Sequence, residues 1–183
     1  EMSQIMPSLK NISWERIERE DSVTYPCDNP DKPGNEIVFS KNFPTTSGLG
    51  KIVPTDIIEP NELPDQDFPF VLTTGRLLEH WHTGAMTRRA TVLNDIEPNP
   101  IVNMNKLDME FLKLTPGSSV NVETRRGKIT LNVRQDNELP KGMIFIPFCF
   151  TEAAANKLTN PQLDPFGKIP EFKYCAAKVE INN

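Results

Sequence analysis

Apolar residues beyond Phe68 recur at the short spacings of β-strands and brief helices, whereas the first 67 residues carry little sustained periodicity. Phe70, Val71, Leu72, Thr73 and Thr74 form an aromatic, aliphatic and β-branched run, entered through Pro69 and ended by Gly75, which predicts a strand. Residues 101–104 predict a second, short one. Across 119–133, Val120 and Val122 alternate with polar neighbours, Arg125-Arg126-Gly127 turns the chain, and Ile129, Leu131 and Val133 alternate again. That is a hairpin whose turn arginines are expected to be solvated. The continuous apolar run 143–148 suits a strand buried on both faces, and 174–181 predicts the closing strand.

Two helices fall between these strands. Asn105 is an N-cap candidate with Asp108 three residues on, and Leu107, Phe111 and Leu114 recur at helical spacing as the expected core face, ended by Thr115-Pro116-Gly117. Thr151 is expected to cap a short alanine-rich helix over 152–157. Six or so short strands, two short helices and proline-rich turns predict a small closed β-barrel rather than an open sheet. Ahead of it, residues 12–17 predict a helical segment with Ser13 as N-cap. Residues 21–66 dissolve into Pro, Gly, Asp and Asn, with brief extended pieces at 36–39 and 51–53. The expected division is a mostly irregular connecting arm over 1–67 and a barrel over 68–183.

Charge sharpens that boundary. Residues 1–69 hold 6 Lys/Arg against 13 Asp/Glu, net −7, and 9 of the 17 prolines; residues 70–183 hold 14 against 12, net +2. A general nucleic-acid binder would show a larger basic face. No apolar run is long enough to cross a membrane, and no signal peptide is visible. Three scattered cysteines make neither a disulfide framework nor a Cys-x-x-Cys metal site. Cys149, in an apolar strand, and Cys175, at the start of another, read as buried small hydrophobes in a reducing, cytoplasmic compartment. A start at Glu1 rather than at methionine suggests a piece of a longer polypeptide.

The densest chemistry follows the first strand. Arg76, His80, Trp81, His82, Thr83, Arg88 and Arg89 lie within fifteen residues of Gly75, with Glu79 the only acid among those fifteen. Backbone amides freed at a glycine turn, together with guanidinium groups, form an anion-binding surface suited to phosphate or pyrophosphate, although such a loop is also often only a solvated surface. His80 and His82 have no carboxylate or cysteine at ligand spacing, which argues against a metal site.

These residues carry a resemblance. Thr74-Gly75-Arg76, Glu79-His80-Trp81-His82-Thr83-Gly84 and Met86-Thr87-Arg88-Arg89 closely resemble the C-terminal domain of the catalytic (alpha) subunit of molybdenum- or tungsten-dependent formate dehydrogenases. These belong to the dimethyl sulfoxide reductase superfamily. A second block, Lys168-Ile169-Pro170-Glu171-Phe172-Lys173-Tyr174-Cys175-Ala176-Ala177-Lys178-Val179, resembles the closing motif of the same domain. The resemblance is close over 68–180 and loose over 1–67. Its implications begin with a mainly β chain with short helices (α+β), a double-psi β-barrel preceded by an irregular arm that packs against the preceding domain. The barrel would bind molybdopterin guanine dinucleotide, one of two that hold the metal in a site shared with upstream domains.

By motif position, Gly75 and Arg76 would serve close backbone approach and charge pairing at the strand end. His80 and His82 would hydrogen-bond the pterin–phosphate region, with Trp81 packing beneath; Thr83 and Gly84 would offer a hydroxyl and amides. Asn156 would contact the nucleotide, and Phe172 with Lys173 would finish the pocket. Arg88 and Arg89 stand between phosphate partners and inter-domain salt bridges. The metal-bound cysteine or selenocysteine of the family, the histidine and arginine near it and the iron–sulfur cysteines all belong to upstream domains. The resemblance therefore implies no catalytic residue and no metal ligand here, and a chain inert alone. Implied partners are those upstream domains and electron-transfer subunits, with no nucleic acid and no membrane insertion. An assimilatory- or periplasmic-type nitrate reductase, whose loop carries a similar Gly-Arg, Trp-His-Thr, Thr-Arg pattern, is one alternative, and a stand-alone pterin-binding accessory subunit is another. The Glu79–Gly84 hexapeptide and the Pro-Glu-Phe-Lys-Tyr-Cys ending favour formate dehydrogenase.

Overall fold

The computed structural model describes residues 1–182, which divide into two compact units, Glu1–Ile57 and a second from Ile58 onward. The first unit has little regular structure: α1 (Met2–Ile5), a 3-10 turn at Pro7–Leu9 and α2 (Trp14–Glu20). Ser13 caps α2 as expected, its hydroxyl accepting the Arg16 N–H at 3.2 Å. The rest is organised around a buried cation rather than an apolar core. Arg16 donates to the carbonyls of Asn11 (3.0 Å), Asn29 (3.2 Å) and Lys32 (2.7 Å) and pairs with Glu20 at 2.9 Å. A guanidinium's fork of donors can fasten several irregular strands of chain at once, which apolar contacts in so proline-rich a segment could not do. The extended pieces expected at 36–39 and 51–53 join no sheet: 36–39 is bend and turn, and Phe39 stacks on Phe43 at 5.4 Å.

The second unit contains the barrel. Its elements are β1 (Phe70–Gly75), α3 (Thr91–Ile96), β2 (Ile101–Met104), α4 (Lys106–Phe111), β3 (Ser119–Thr124), β4 (Gly127–Gln135), β5 (Met143–Pro147) and β6 (Cys175–Ile181). The strands close in the order β1-β5-β2-β4-β3-β6, with β1–β5 and β2–β4 parallel and every other pair antiparallel. Leu72 stands opposite Ile144 on one side and Cys175 on the other, while Val120 faces Leu131 and Val122 faces Ile129. These residues, with Val102, Met104, Ile146 and Leu158, are the fully buried centre. The period-2 alternation that predicted β3 and β4 is what puts one side chain in two inside.

This strand order decides where function can sit. The C-terminal ends of β1, β3 and β5 and the N-terminal ends of β2, β4 and β6 share one end of the barrel. The two long connections, 76–100 and 148–174, and the Arg125–Arg126 turn therefore emerge together.

Three local expectations are corrected. In α4, Leu107 is 56% and Phe111 81% exposed, whereas Met109 and Asp108 are buried and Leu114 joins the core. Polar anchors set the helix rotation: the Asn105 amide donates to the Leu139 carbonyl at 2.7 Å, and the Asp108 carboxylate accepts the Gly142 N–H at 2.7 Å. Residues 152–157 form only a 3-10 turn, Ala155–Lys157, because the Leu158 carbonyl after it is held by Thr124 Oγ1 (2.9 Å) and by Arg126 Nε and Nη2 (3.1 and 2.9 Å). Arg125 and Arg126 are not merely solvated. Arg125 pairs with Glu62 at 2.7 Å and with Asp65, and Arg126 with Glu62, so residues 58–67 are strapped to the hairpin turn.

Candidate functional site

All nine residues singled out by the motifs lie in, or at the edge of, the two long connections at that one end. Gly75 closes β1 under Phe145, where an added Cβ would stand 2.5 Å from the ring, and its carbonyl accepts the Phe148 N–H at 3.1 Å. Beside it, Thr74 Oγ1 donates to the Phe172 carbonyl at 2.9 Å, and Lys173 Nζ donates to the Thr74 carbonyl while lying 5.3 Å from the Phe172 ring centre. These bonds draw the closing motif onto the end of β1, although 98 residues separate Thr74 from Phe172. Asn156 is exposed on the Ala155–Lys157 turn beside the β3–β4 turn, at the same end of the barrel.

The loop after β1 is wound tightly. His82 (φ +50°) and Gly84 (φ +72°) are both left-handed, Gly84 N–H donates to the Trp81 carbonyl at 2.8 Å, and Thr87 Oγ1 accepts the Trp81 N–H at 2.9 Å. Arg76 and His82 are exposed and meet at 3.3 Å. Trp81, expected to pack beneath, is 60% exposed and sits edge-on to His82. Thr83 is also exposed, so the loop offers hydroxyl, imidazole and guanidinium outward.

His80 is placed differently. It is fully buried, with Nε2 at 2.8 Å from the Glu97 carbonyl and its ring edge-on to Phe150. A carbonyl only accepts, so Nε2 donates a proton to it, while Nδ1 is buried without a partner. Glu97 is itself gripped by Arg134 of β4 through both carboxylate oxygens, at 2.8 and 2.9 Å.

Arg88 also meets Phe150, its guanidinium 4.6 Å from the ring centre. Nε donates to Asn94 Oδ1 at 3.0 Å and Nη2 to Glu152 Oε1 at 2.8 Å, while Nη1 is buried with no partner. Burial works to raise the Glu152 carboxyl, but the Arg88 hydrogen bond and charge outweigh it and hold that group below the usual carboxylate range. Thr83, Gly84, Arg88, Arg89, Cys149 and Thr151 line an open cavity of about 400 Å³. Burial pushes the Cys149 and Cys175 thiols up, so neither is a ready nucleophile.

Chemically the end of the barrel offers donors, cations and aromatic faces. Among the described residues no group of three His, Cys, Asp or Glu could hold a metal ion. No helix there is long and apolar enough to cross a membrane. The sequence did not single out Asn94, Glu97, Arg134, Phe150 or Glu152. Each acts through a neighbour supplied by another element, and the one usable signal was the placement of Glu152 shortly after the apolar run of β5.

Comparison with known proteins bears on this site. The family described as "Molydopterin dinucleotide binding domain" matches residues 70–176. The chain is 42% identical over 180 residues to the F420-dependent formate dehydrogenase subunit alpha of Methanocaldococcus jannaschii. It is 39% identical over 180 residues to the F420-dependent formate dehydrogenase 1 subunit alpha of Methanococcus maripaludis. Each match covers 98% of this chain but 27% of the relative, so the chain spans about a quarter of the length of those relatives. Among solved structures, acetylene hydratase from Pelobacter acetylenicus superposes with a TM-score of 0.58 at 22% identity, over 64% of this chain and 19% of that one, which shows the shared fold alone.

Proposed function

The chain belongs to the molydopterin dinucleotide binding domain family, and we propose that it is the dinucleotide-binding domain of a formate dehydrogenase alpha subunit, carrying no catalytic residue of its own. The observation that carries this is the convergence of the loop after β1 with the Phe172–Lys173 motif at one barrel end, held by the Thr74–Phe172 and Lys173–Thr74 bonds. The residues present fit a long, polyanionic ligand rich in hydrogen-bonding edges. Arg88 Nη1 and His80 Nδ1 are buried and unpartnered, and Gly84 keeps open a cradle that a Cβ would fill.

Gly75, Arg76, His82, Thr83 and Gly84 would hold the pterin–phosphate region through amides, a hydroxyl and charge, with Phe172 and Lys173 closing the pocket and Asn156 meeting the nucleotide. His80, buried and bonded through Nε2 to the Glu97 carbonyl, would orient the loop from behind it. When bound, the metal–pterin group supplies two-electron redox chemistry; this chain binds, orients and shields it. Further domains of the same polypeptide would contribute the second dinucleotide, the metal's protein ligand and any iron–sulfur cluster. Residues 1–67 would form the arm that connects to those domains, and electron-transfer subunits of a cytoplasmic complex would carry the electrons on. Neither nucleic acid nor membrane insertion has a part in this reading.

The test uses the longer natural polypeptide. Formate-dependent reduction of a viologen dye or of F420, the acceptor named for the relatives, with molybdenum or tungsten bound, is the expected result. Nitrate consumption without formate oxidation would move the chain to the nitrate reductases. Neither activity, with no metal bound, would overturn the reading.

A further inference from the structure

Resting on that reading, we propose that residues 51–59 form the edge strand of a β-sheet whose other strands come from the longer polypeptide outside these residues. The stretch is rich in residues that favour a pleated backbone: Ile52, Val53, Thr55, Ile57 and Ile58 are all β-branched. Yet it forms no helix, strand or turn, and among the described residues no backbone N–H or carbonyl from Lys51 to Pro60 is hydrogen-bonded. Ile52 is 94% and Ile57 100% exposed, and Val53 and Ile58 are open to solvent as well. Four large aliphatic side chains on a run of bare backbone are the mark of a strand separated from its partner.

The prolines say which side of that strand is bonded. In a strand the N–H and C=O of one residue point to the same edge, and the edge alternates with each residue. Pro54 and Pro60 lack an N–H and, being an even number of residues apart, share one edge. The other edge, made by Lys51, Val53, Thr55, Ile57 and Glu59, keeps every donor. One complete row and one interrupted row suit the outermost strand of a sheet. In such a strand Val53 and Ile57 would point to one face and Ile52 and Ile58 to the other, so both faces bring apolar groups to bury.

The described residues hold no edge that could receive this strand. The barrel closes β6 onto β1, so each of its strands is paired on both sides, in this chain and in any second copy. A second copy would offer only its own residues 51–59, and a lone two-stranded ribbon is marginal in water. The chain covers 27% of the length of its relatives, and the remainder is where a sheet edge can come from.

Hydrogen exchange at single-residue resolution, on the longer natural polypeptide and on the 183-residue chain, tests the proposal. In the longer polypeptide the amides of Val53, Thr55, Ile57 and Glu59 should exchange roughly a hundredfold or more slower than in the short chain, while those of Ile52, Asp56 and Ile58 stay fast. Ile57→Pro and Ile58→Pro each remove one isoleucine, but only the first removes a donor from the bonded edge. Ile57→Pro should abolish the protection of Val53, Thr55 and Glu59, and Ile58→Pro should keep most of it. The unsubstituted polypeptide carries the test by itself should Ile57→Pro not fold. Fast exchange throughout 51–59 in both forms would overturn the proposal, and so would equal protection of both sets of amides. Protection that appears in the short chain and grows with its concentration would also overturn it, giving the strand to a second copy. The functional reading fails separately. Alternating protection in a polypeptide that binds no metal and oxidises no formate would sink that reading while the edge strand stands; fast exchange in one that oxidises formate would do the reverse.

Discussion

Gly84→Ala offers a clean test of how the loop after β1 is built, because the fold holds its own control. Gly84 and Gly117 share left-handed φ values of +72° and +88°, but nothing lies within 4 Å of a Cβ built on Gly117. At both positions alanine must adopt a conformation that costs an L-residue about 1–2 kcal/mol. At Gly84 the new methyl also meets Arg88 Cγ at 2.5 Å and the Cys149 carbonyl oxygen at 2.9 Å. The arginine stem can swing aside, but only by giving up its bonds to Asn94 and Glu152. The carbonyl belongs to a buried segment behind β5 and cannot yield cheaply. Overpacking of that sort adds about 1–3 kcal/mol. The expected losses are therefore about 1–2 kcal/mol for Gly117→Ala and about 2–5 for Gly84→Ala, the latter with a displaced Arg88 Nε resonance. Urea unfolding followed by far-UV circular dichroism gives both numbers under identical conditions, and equal m-values establish that only stability changed. A Gly84→Ala loss no larger than that of Gly117→Ala would refute the close approach of loop, arginine and Cys149 on which the cavity depends.

Other outcomes follow from the same contacts. Met109→Ala should cost about 2–5 kcal/mol and Phe111→Ser less than about 0.5, because only the former is inside; urea melts check both. With all three thiols buried and those of Cys149 and Cys175 pushed up by burial, an aromatic disulfide reagent at neutral pH should label the native chain only at the rate of opening, and the urea-unfolded chain at once. Asp164 is held below the usual carboxylate range by the backbone N–H groups of Ile169 and Gly167, both at 2.7 Å, and more weakly by Phe166. Its unfolded form thus binds protons first as pH falls. The stabilisation is complete above the ordinary aspartate value of about 4 and is lost below it, so the protection factors of amides in the loop 164–171, after correction for the intrinsic pH dependence of exchange, should fall from pH 6 to pH 3. Asp164→Asn should abolish most of that dependence. Lys173→Met, which removes the tie to the Thr74 carbonyl, should lower the dinucleotide content of the longer polypeptide with little change in its melting temperature.

The barrel was legible because it is written in near-neighbour patterns. The alternation in β3 and β4, the apolar run in β5 and the punctuation at Gly75 each reflect a local rule, and six strands close as those rules suggest. The rotation of α4 was not legible. An apolar spacing of Leu107, Phe111 and Leu114 pointed one way, while two side-chain bonds to the turn at Leu139–Gly142, 34 residues distant in each case, pointed the other and prevailed. The same limit hid the Arg125–Arg126 clamp, whose carboxylates lie 60 or more residues upstream. At the site, residue types and order could be read, but the burial of His80 could not. Nothing in the string Glu79-His80-Trp81-His82 says which imidazole turns inward; the answer comes from Glu97, which Arg134 holds where its carbonyl meets Nε2.

The cations of this chain of net charge −5 are unevenly paired. Net charge is a poor guide, since what a ligand meets is the charge left unpaired near it. Arg125 and Arg126 are neutralised by Glu62 and Asp65, Arg134 by Glu97, and Lys128 and Lys178 by Glu123. In the loop after β1 and at the closing motif the pattern reverses. Among the described residues Arg76, Arg89 and Lys173 are in no ion pair, and Arg88, though paired, keeps a buried donor free. The acidic stretch just before β1 therefore does more than connect: by drawing its carboxylates onto the hairpin arginines it keeps them away from the cations beside Gly75. Replacing Glu62 and Asp65 by glutamine and asparagine should free the hairpin arginines to compete for pyrophosphate. Pyrophosphate binding should rise, which calorimetric titration against the unsubstituted chain reads directly, and unchanged binding would refute the part given to the clamp.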